Sequence, residues 1–210
     1  VIVDGNQFAQ RQHQRGNVFM AKSVTFIDTE VGVDDHKIHD IGAIRQDRAS
    51  FHAANIREFA AFVEGTEYIC GHNILHHDLK YLQNALGYEL PAIKIDTLYL
   101  SPLLFPKRPY HALLKDDKLQ SDQLNDPVND CKKAATLFYD EVNAFFELPS
   151  KVKQIFCCLL YDHPEFHGFF RYVNFRPYQV NVPELIRAEY EGQSISQFHR
   201  IVANQREKLR

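Results

Sequence analysis

Ser23-Val-Thr-Phe-Ile-Asp-Thr-Glu-Val31 is the stretch on which the fold turns. Its β-branched and aromatic residues favour an extended strand, and Phe26 and its apolar neighbours place that strand in the interior. Asp28 and Glu30 stand two residues apart, so both side chains leave the same face. Two carboxylates side by side on a central strand are costly unless a cation lies between them. A divalent ion answers that need, because hard cations take oxygen ligands. The competing reading is a strand with one solvated face.

The neighbouring segments extend this strand into a domain. A polar turn, Asp34-Asp-His36, leads to a second strand over Lys37–Arg45, and a third around Ser50–Ala53 completes a meander. Asn55 caps a short helix that runs through Val63. Tyr68-Ile-Cys70 reads as a buried strand entering the turn Gly71-His-Asn73. A helix over His76–Leu86 follows, with Leu75, Leu79, Leu82 and Leu86 on one stripe. Ile93–Thr97 is a short strand, Leu98–Phe105 is an apolar piece, and a helix is expected over His111–Lys115. The clearest helix spans Pro127–Phe146, with Asp126 as its cap and Pro127 in its first turn. Val128, Cys131, Ala135, Phe138, Val142 and Phe145 form its core stripe.

After Pro149, Lys151–Tyr161, Pro183–Tyr190 and the polar tail to Arg210 read as helical. The pattern predicts an α/β domain over residues 20–148 and a helical appendage over 149–210. Residues 1–19 are Gln- and Asn-rich without a period. They read as a leader or appended segment ahead of a native start at Met20, the only methionine, or else as an N-terminal arm.

The chain has 210 residues, against about 150 for a common domain. Its 16 Phe and 10 Tyr suffice for a core, and its low Gly and Pro content excludes disorder and collagen-like repeats. The net charge of −3 gives no basic nucleic-acid footprint, so a polyanion must be met locally or through metal ions. Cys70, Cys131, Cys157 and Cys158 form no CxxC pattern and fit reduced thiols in a soluble cytoplasmic protein. The longest apolar run, Ile155–Tyr161, falls well short of the roughly 18 residues that suggest a membrane span.

Two further carboxylates stand out. Asp78 opens a helix just after the Gly71-His72-Asn73 turn, where active-site loops commonly lie. Asp130 lies in the first turn of the long helix, beside the core residue Cys131. Either alone reads as a surface charge; their order gives them weight. Phe26-Ile-Asp-Thr-Glu30, then Gly71-His-Asn73 with Asp78 and Leu82, then Asp130 followed by Ala134 and Leu137, resembles the DEDD exonuclease superfamily. Its members include the proofreading subunit of bacterial DNA polymerase III and ribonuclease T. The resemblance spans roughly residues 23–146.

That resemblance implies a ribonuclease H-like mixed sheet flanked by helices. It also implies a 3′→5′ exonuclease using two Mg²⁺ or Mn²⁺ ions held by Asp28, Glu30, Asp78 and Asp130. Such ions would activate a water and stabilise the leaving 3′-oxygen. They would also let a net-acidic chain accept a single-stranded DNA or RNA 3′ end. His72, Asn73, His111 and Lys132 are the expected substrate contacts.

The chain departs from the family at the general base. Where the family places His, five residues before the last Asp, this sequence has Asn125; where a second branch places Tyr, it has Asp126. Asn cannot take a proton near neutral pH, and losing a general base costs about 10²–10⁴ in rate. Three readings stay open. Asn125 orients the water, His111 or His76 serves as base, or the site is an inactive nucleic-acid or protein-binding module. Retention of all four ligands favours a working or attenuated nuclease.

Three weaker signals remain. His72 and His76 are four apart and His77 adjoins Asp78, which raises a zinc hydrolase reading, although no HExxH is present. Lys132-Lys133 and Lys107-Arg108 are either solvated surface or phosphate contacts. Phe166, Phe169, Phe170, Tyr172 and Phe175 build a small core or stack bases. Residues 150–210 also resemble, faintly, the segment that joins such domains to RecQ-type DNA helicases, which would make the chain part of a larger repair or defence protein.

Overall fold

The structure is a computed structural model that describes residues 22–111, 113 and 126–190. Five strands form one mixed sheet: β1 (Val24–Val31), β2 (Ile38–Arg45), β3 (Ser50–His52), β4 (Tyr68–Gly71) and β5 (Ile93–Asp96), in the order β3-β2-β1-β4-β5. β1, β2 and β3 pair antiparallel as a meander, while β4 and β5 run parallel to β1. The described helices are α1 (Ile56–Val63), α2 (Asp78–Leu86), α3 (Thr97–Leu104), α4 (Pro127–Glu147), α5 (Ser150–Leu160), α6 (Pro164–Tyr172) and α7 (Val182–Glu189). This α/β sheet flanked by helices is compatible with a ribonuclease H-like fold.

The sheet separates two apolar layers. On one side Ile27, Ile41 and Ile69 pack with Phe59 and Val63 of α1 and Leu82 of α2. On the other, Val24, Phe26, Tyr68, Cys70 and Ile95 pack with Cys131, Phe138, Val142 and Phe145 of α4. That second layer continues through Cys157, Phe169, Phe170 and Val173, so α5 and α6 share the core of the sheet. Gly168 permits this contact, because a Cβ there would run into the Lys94 carbonyl of β5. The aromatic run of α6 therefore supplies core: Phe169 and Phe170 are each 1% exposed.

Local chemistry explains the boundaries. Asn55 accepts from the Arg57 and Glu58 amides and starts α1. Asp126 accepts from Val128 N–H and Pro127 follows it, which starts α4 as the sequence predicts. α2 begins at Asp78 rather than His76, and Gly87 ends it in the left-handed region at φ 76°. The apolar piece after β5 is the helix α3, capped by the Asp96 side chain. The stripe of α4 differs at three positions: Pro127 is buried in place of Val128, Ala134 in place of Ala135, and Glu141 is fully buried with them. The helix expected over His111–Lys115 and the helical tail fall almost wholly outside the described residues.

The four cysteines are free thiols, as expected, with Cys70, Cys131 and Cys157 buried. Among the described residues no helix is long and apolar enough to cross a membrane.

Candidate metal centre

The parallel strands β1, β4 and β5 all end at one edge of the sheet, and the chain leaves β1 and β4 in opposite directions. Open α/β sheets bind ligands in the crevice at such a switch point. β1 carries Asp28 and Glu30 to this edge on the face covered by α4, continuing the row of Val24 and Phe26. Asp28 stands opposite Gly42 of β2. A Cβ on Gly42 would collide with the Pro127 and Val128 backbone. Glycine thus lets the start of α4 lie against β2, which brings Asp130 over β1.

Asp28, Glu30 and Asp130 converge: one carboxylate oxygen from each lies within 4.8 Å of the others. Asp78 reaches the same strand from the opposite side. Its Oδ1 accepts from Thr29 N–H at 2.7 Å and from Thr29 Oγ1 at 2.8 Å, and the residue is 2% exposed. Burial, then Asp78, Asp130 and Glu30, push the Asp28 carboxyl up to about 8. Four acids therefore share one field, and it strongly disfavours ionising Asp28 without a counter-charge. Three clustered carboxylates, one of them with raised proton affinity, are the donor set that a hard divalent cation requires.

Two basic side chains border the cluster. Lys133 Nζ lies 3.2 Å from Asp130 Oδ1. His77 Nδ1 lies 3.7 Å from Asp78 Oδ2, and its pKa is raised chiefly by that carboxylate, with Asp28 and Glu30 adding to the effect. Sequence reasoning gives His77 no part in the carboxylate centre. Its adjacency to Asp78 was the available signal.

The turn after β4 is tied down by Asp96, at the end of β5. The Asp96 carboxylate accepts from Asn73 N–H at 2.8 Å, Leu98 N–H at 3.0 Å and Leu75 N–H at 3.0 Å. Asn73 itself takes a left-handed φ of 65°, which Asn tolerates. His72 Nδ1 meets Thr97 Oγ1 at 2.9 Å, while that hydroxyl donates to the Gly71 carbonyl at 3.2 Å. With that hydroxyl donating onward, Nδ1 is the donor in the His72–Thr97 pair. Burial holds the His72 pKa down to about 4 against the opposing pull of Asp78 and Asp130, with His111 also lowering it.

The other expected contacts divide. His111 Nδ1 meets Ser101 Oγ at 2.9 Å, one turn along α3 from the Thr97 hydroxyl that His72 meets. Lys132 donates to Asn129 at 3.2 Å; it is Lys133 that reaches Asp130. Asn125 lies outside the described residues. His76 packs its ring on Tyr99 instead of joining His72. Among the described residues the only group of three potential metal ligands is all carboxylate, with no histidine or cysteine in it.

Fold and site together define an α/β protein with a carboxylate cluster, suited to a divalent metal, at the switch point of its sheet. No protein-family model matches the chain, and no curated protein does. Among solved structures it is similar to the family B DNA polymerase from the hyperthermophilic archaeon Pyrobaculum calidifontis. The TM-score is 0.40 and the identity 14%, over 72% of this chain and 29% of that one. The chain thus spans under a third of the polymerase's length.

Proposed function

We propose that the chain is a metal-dependent 3′→5′ exonuclease acting on single-stranded DNA, with Asp28, Glu30, Asp78 and Asp130 as its metal ligands. The observation that carries this reading is the convergence of Asp28, Glu30 and Asp130, with Asp78 locked onto the same strand through Thr29. Two divalent ions held there would supply the positive field for a phosphodiester and lower the pKa of an attacking water.

The protein's own residues do the positioning. Gly42 sets the approach of Asp130, Thr29 fixes the rotamer of Asp78, and Asp96 holds the turn that carries His72 and Asn73. Lys133 and His77 border the carboxylates and offset part of their repulsion.

The test is digestion of a 5′-labelled single strand in Mn²⁺ or Mg²⁺. A ladder shortening from the 3′ end is expected, absent with chelator and absent in Asp28→Ala. Intact strands after long incubation of the wild-type chain would defeat the enzyme reading and leave a binding module.

A further inference from the structure

A second feature concerns how a strand reaches this centre, and it rests on the exonuclease reading. Residues 105–111, Phe105-Pro-Lys-Arg-Pro-Tyr-His111, carry two cations and no acid in a chain of net charge −3. The segment is pinned at both ends. Phe105 packs against the core, and His111 meets Ser101 at 2.9 Å. Between them Arg108 N–H donates to the Phe105 carbonyl at 3.0 Å and closes a turn. Lys107 and Arg108 are exposed to solvent, and Tyr110 is 78% exposed. The Arg108 guanidinium lies over the Phe105 ring, 3.8 Å from its centroid, which keeps the charge close to the turn.

This strip ends next to the turn that leads into Asp78. His111 meets Ser101 and His72 meets Thr97, four residues apart and so one turn apart on α3, and His72 lies in the turn between β4 and α2, which Asp78 opens. An acidic centre repels phosphates, so a strand needs cations outside it, and Lys107 and Arg108 supply them. An open tyrosine face suits an unstacked base, whereas duplex bases are stacked on one another. We propose that Lys107, Arg108 and Tyr110 form a ledge that carries single-stranded DNA as its 3′ end enters the carboxylate centre.

The test uses the full chain, Tyr110→Ala, and a Lys107→Gln/Arg108→Gln double variant, with unchanged thermal midpoints as the folding control. Binding of a labelled twelve-residue oligothymidylate is followed by anisotropy across salt. Hydrolysis of the p-nitrophenyl ester of thymidine 5′-phosphate, which has no strand beyond the reacting nucleotide, is followed in Mn²⁺. Tyr110→Ala should weaken strand binding about tenfold. The double variant should lower the log–log salt slope by about 1.4. Ester hydrolysis should stay at the wild-type rate in both.

Unchanged strand affinity and slope would overturn the ledge. So would ester hydrolysis that falls in step with binding, or a blunt duplex that competes as well as the single strand. Strand binding with these sensitivities but no hydrolysis of either substrate would keep the ledge and defeat the exonuclease. Strand digestion without them would do the reverse.

Discussion

Two parallel strands of this sheet carry carboxylates, one fully buried and one half-buried, whose surroundings are opposite. At the end of β5, Asp96 is fully buried and accepts three backbone N–H groups. In the second half of β1, Asp28 faces three other acids, and among the described residues no backbone N–H is seen to donate to it. Burial raises the pKa of both, but at Asp96 the amides oppose the rise while at Asp28 the neighbouring charges add to it. A carboxylate saturated by amides is part of the architecture, and Asp96 joins the β4 turn to the start of α3. A carboxylate aimed at other carboxylates keeps its lone pairs for something the fold does not provide. The difference separates scaffold from site without reference to any relative.

The contrast predicts opposite responses to removing the acid. Asp96→Ala should strand three amides and destabilise the chain by about 3–5 kcal/mol, a fall of roughly 10 °C in Tm for a chain this long. Added Mn²⁺ should not restore it. A Tm within a degree of wild type would show that the turn does not depend on Asp96.

Asp28→Asn should do the reverse in chelator. A raised native pKa means the folded state favours the protonated acid. The associated stability is full below the ordinary value near 4 and is lost as pH climbs to about 8. The wild-type Tm should therefore fall between pH 5 and pH 8, and the variant's should fall less, leaving it about 3–8 °C more stable at pH 8. Mn²⁺ at pH 8 should raise the wild-type Tm and leave Asp28→Asn unmoved. Parallel pH profiles for the two chains would remove the electrostatic account of the site.

Much of this was legible in sequence because it is local. Strand alternation, the Asn55 and Asp126 caps and the same-face spacing of Asp28 and Glu30 need only a few residues each. What escaped depends on tertiary partners. Asp96 looks like any strand-end acid until its three amides arrive from the β4 turn and α3. Glu141 shares the buried side of α4 with Phe138 and Phe145, yet an acid on a stripe reads as solvent-facing. It is fully buried, neither oxygen has a hydrogen-bond partner among the described residues, and burial holds it well above the usual carboxylate range. α6 was hidden for the same reason: its aromatics are spaced by the shape of the core they fill.

Asp78 stands between the two extremes, and it gives the smallest and sharpest test. It has donors, like Asp96, but both come from Thr29, on the strand that carries Asp28 and Glu30. Only Oδ1 is held by Thr29; Oδ2 lies 3.7 Å from His77 Nδ1 and is the atom that the proposed ligand role would use. Thr29→Val removes the hydroxyl bond, keeps the amide bond and nearly preserves volume, so it should cost only about 1–2 kcal/mol of stability. Its effect on metal should be larger than that cost suggests. Groups that orient a ligand typically change metal affinity or activity by about 10–100-fold when lost. The Mn²⁺ concentration for half-maximal digestion should rise, while the rate at saturating Mn²⁺ should recover toward wild type. If Thr29→Val lowers Tm but leaves the Mn²⁺ dependence unmoved, Asp78 belongs with Asp96 as scaffold, and the metal centre is built from Asp28, Glu30 and Asp130 alone.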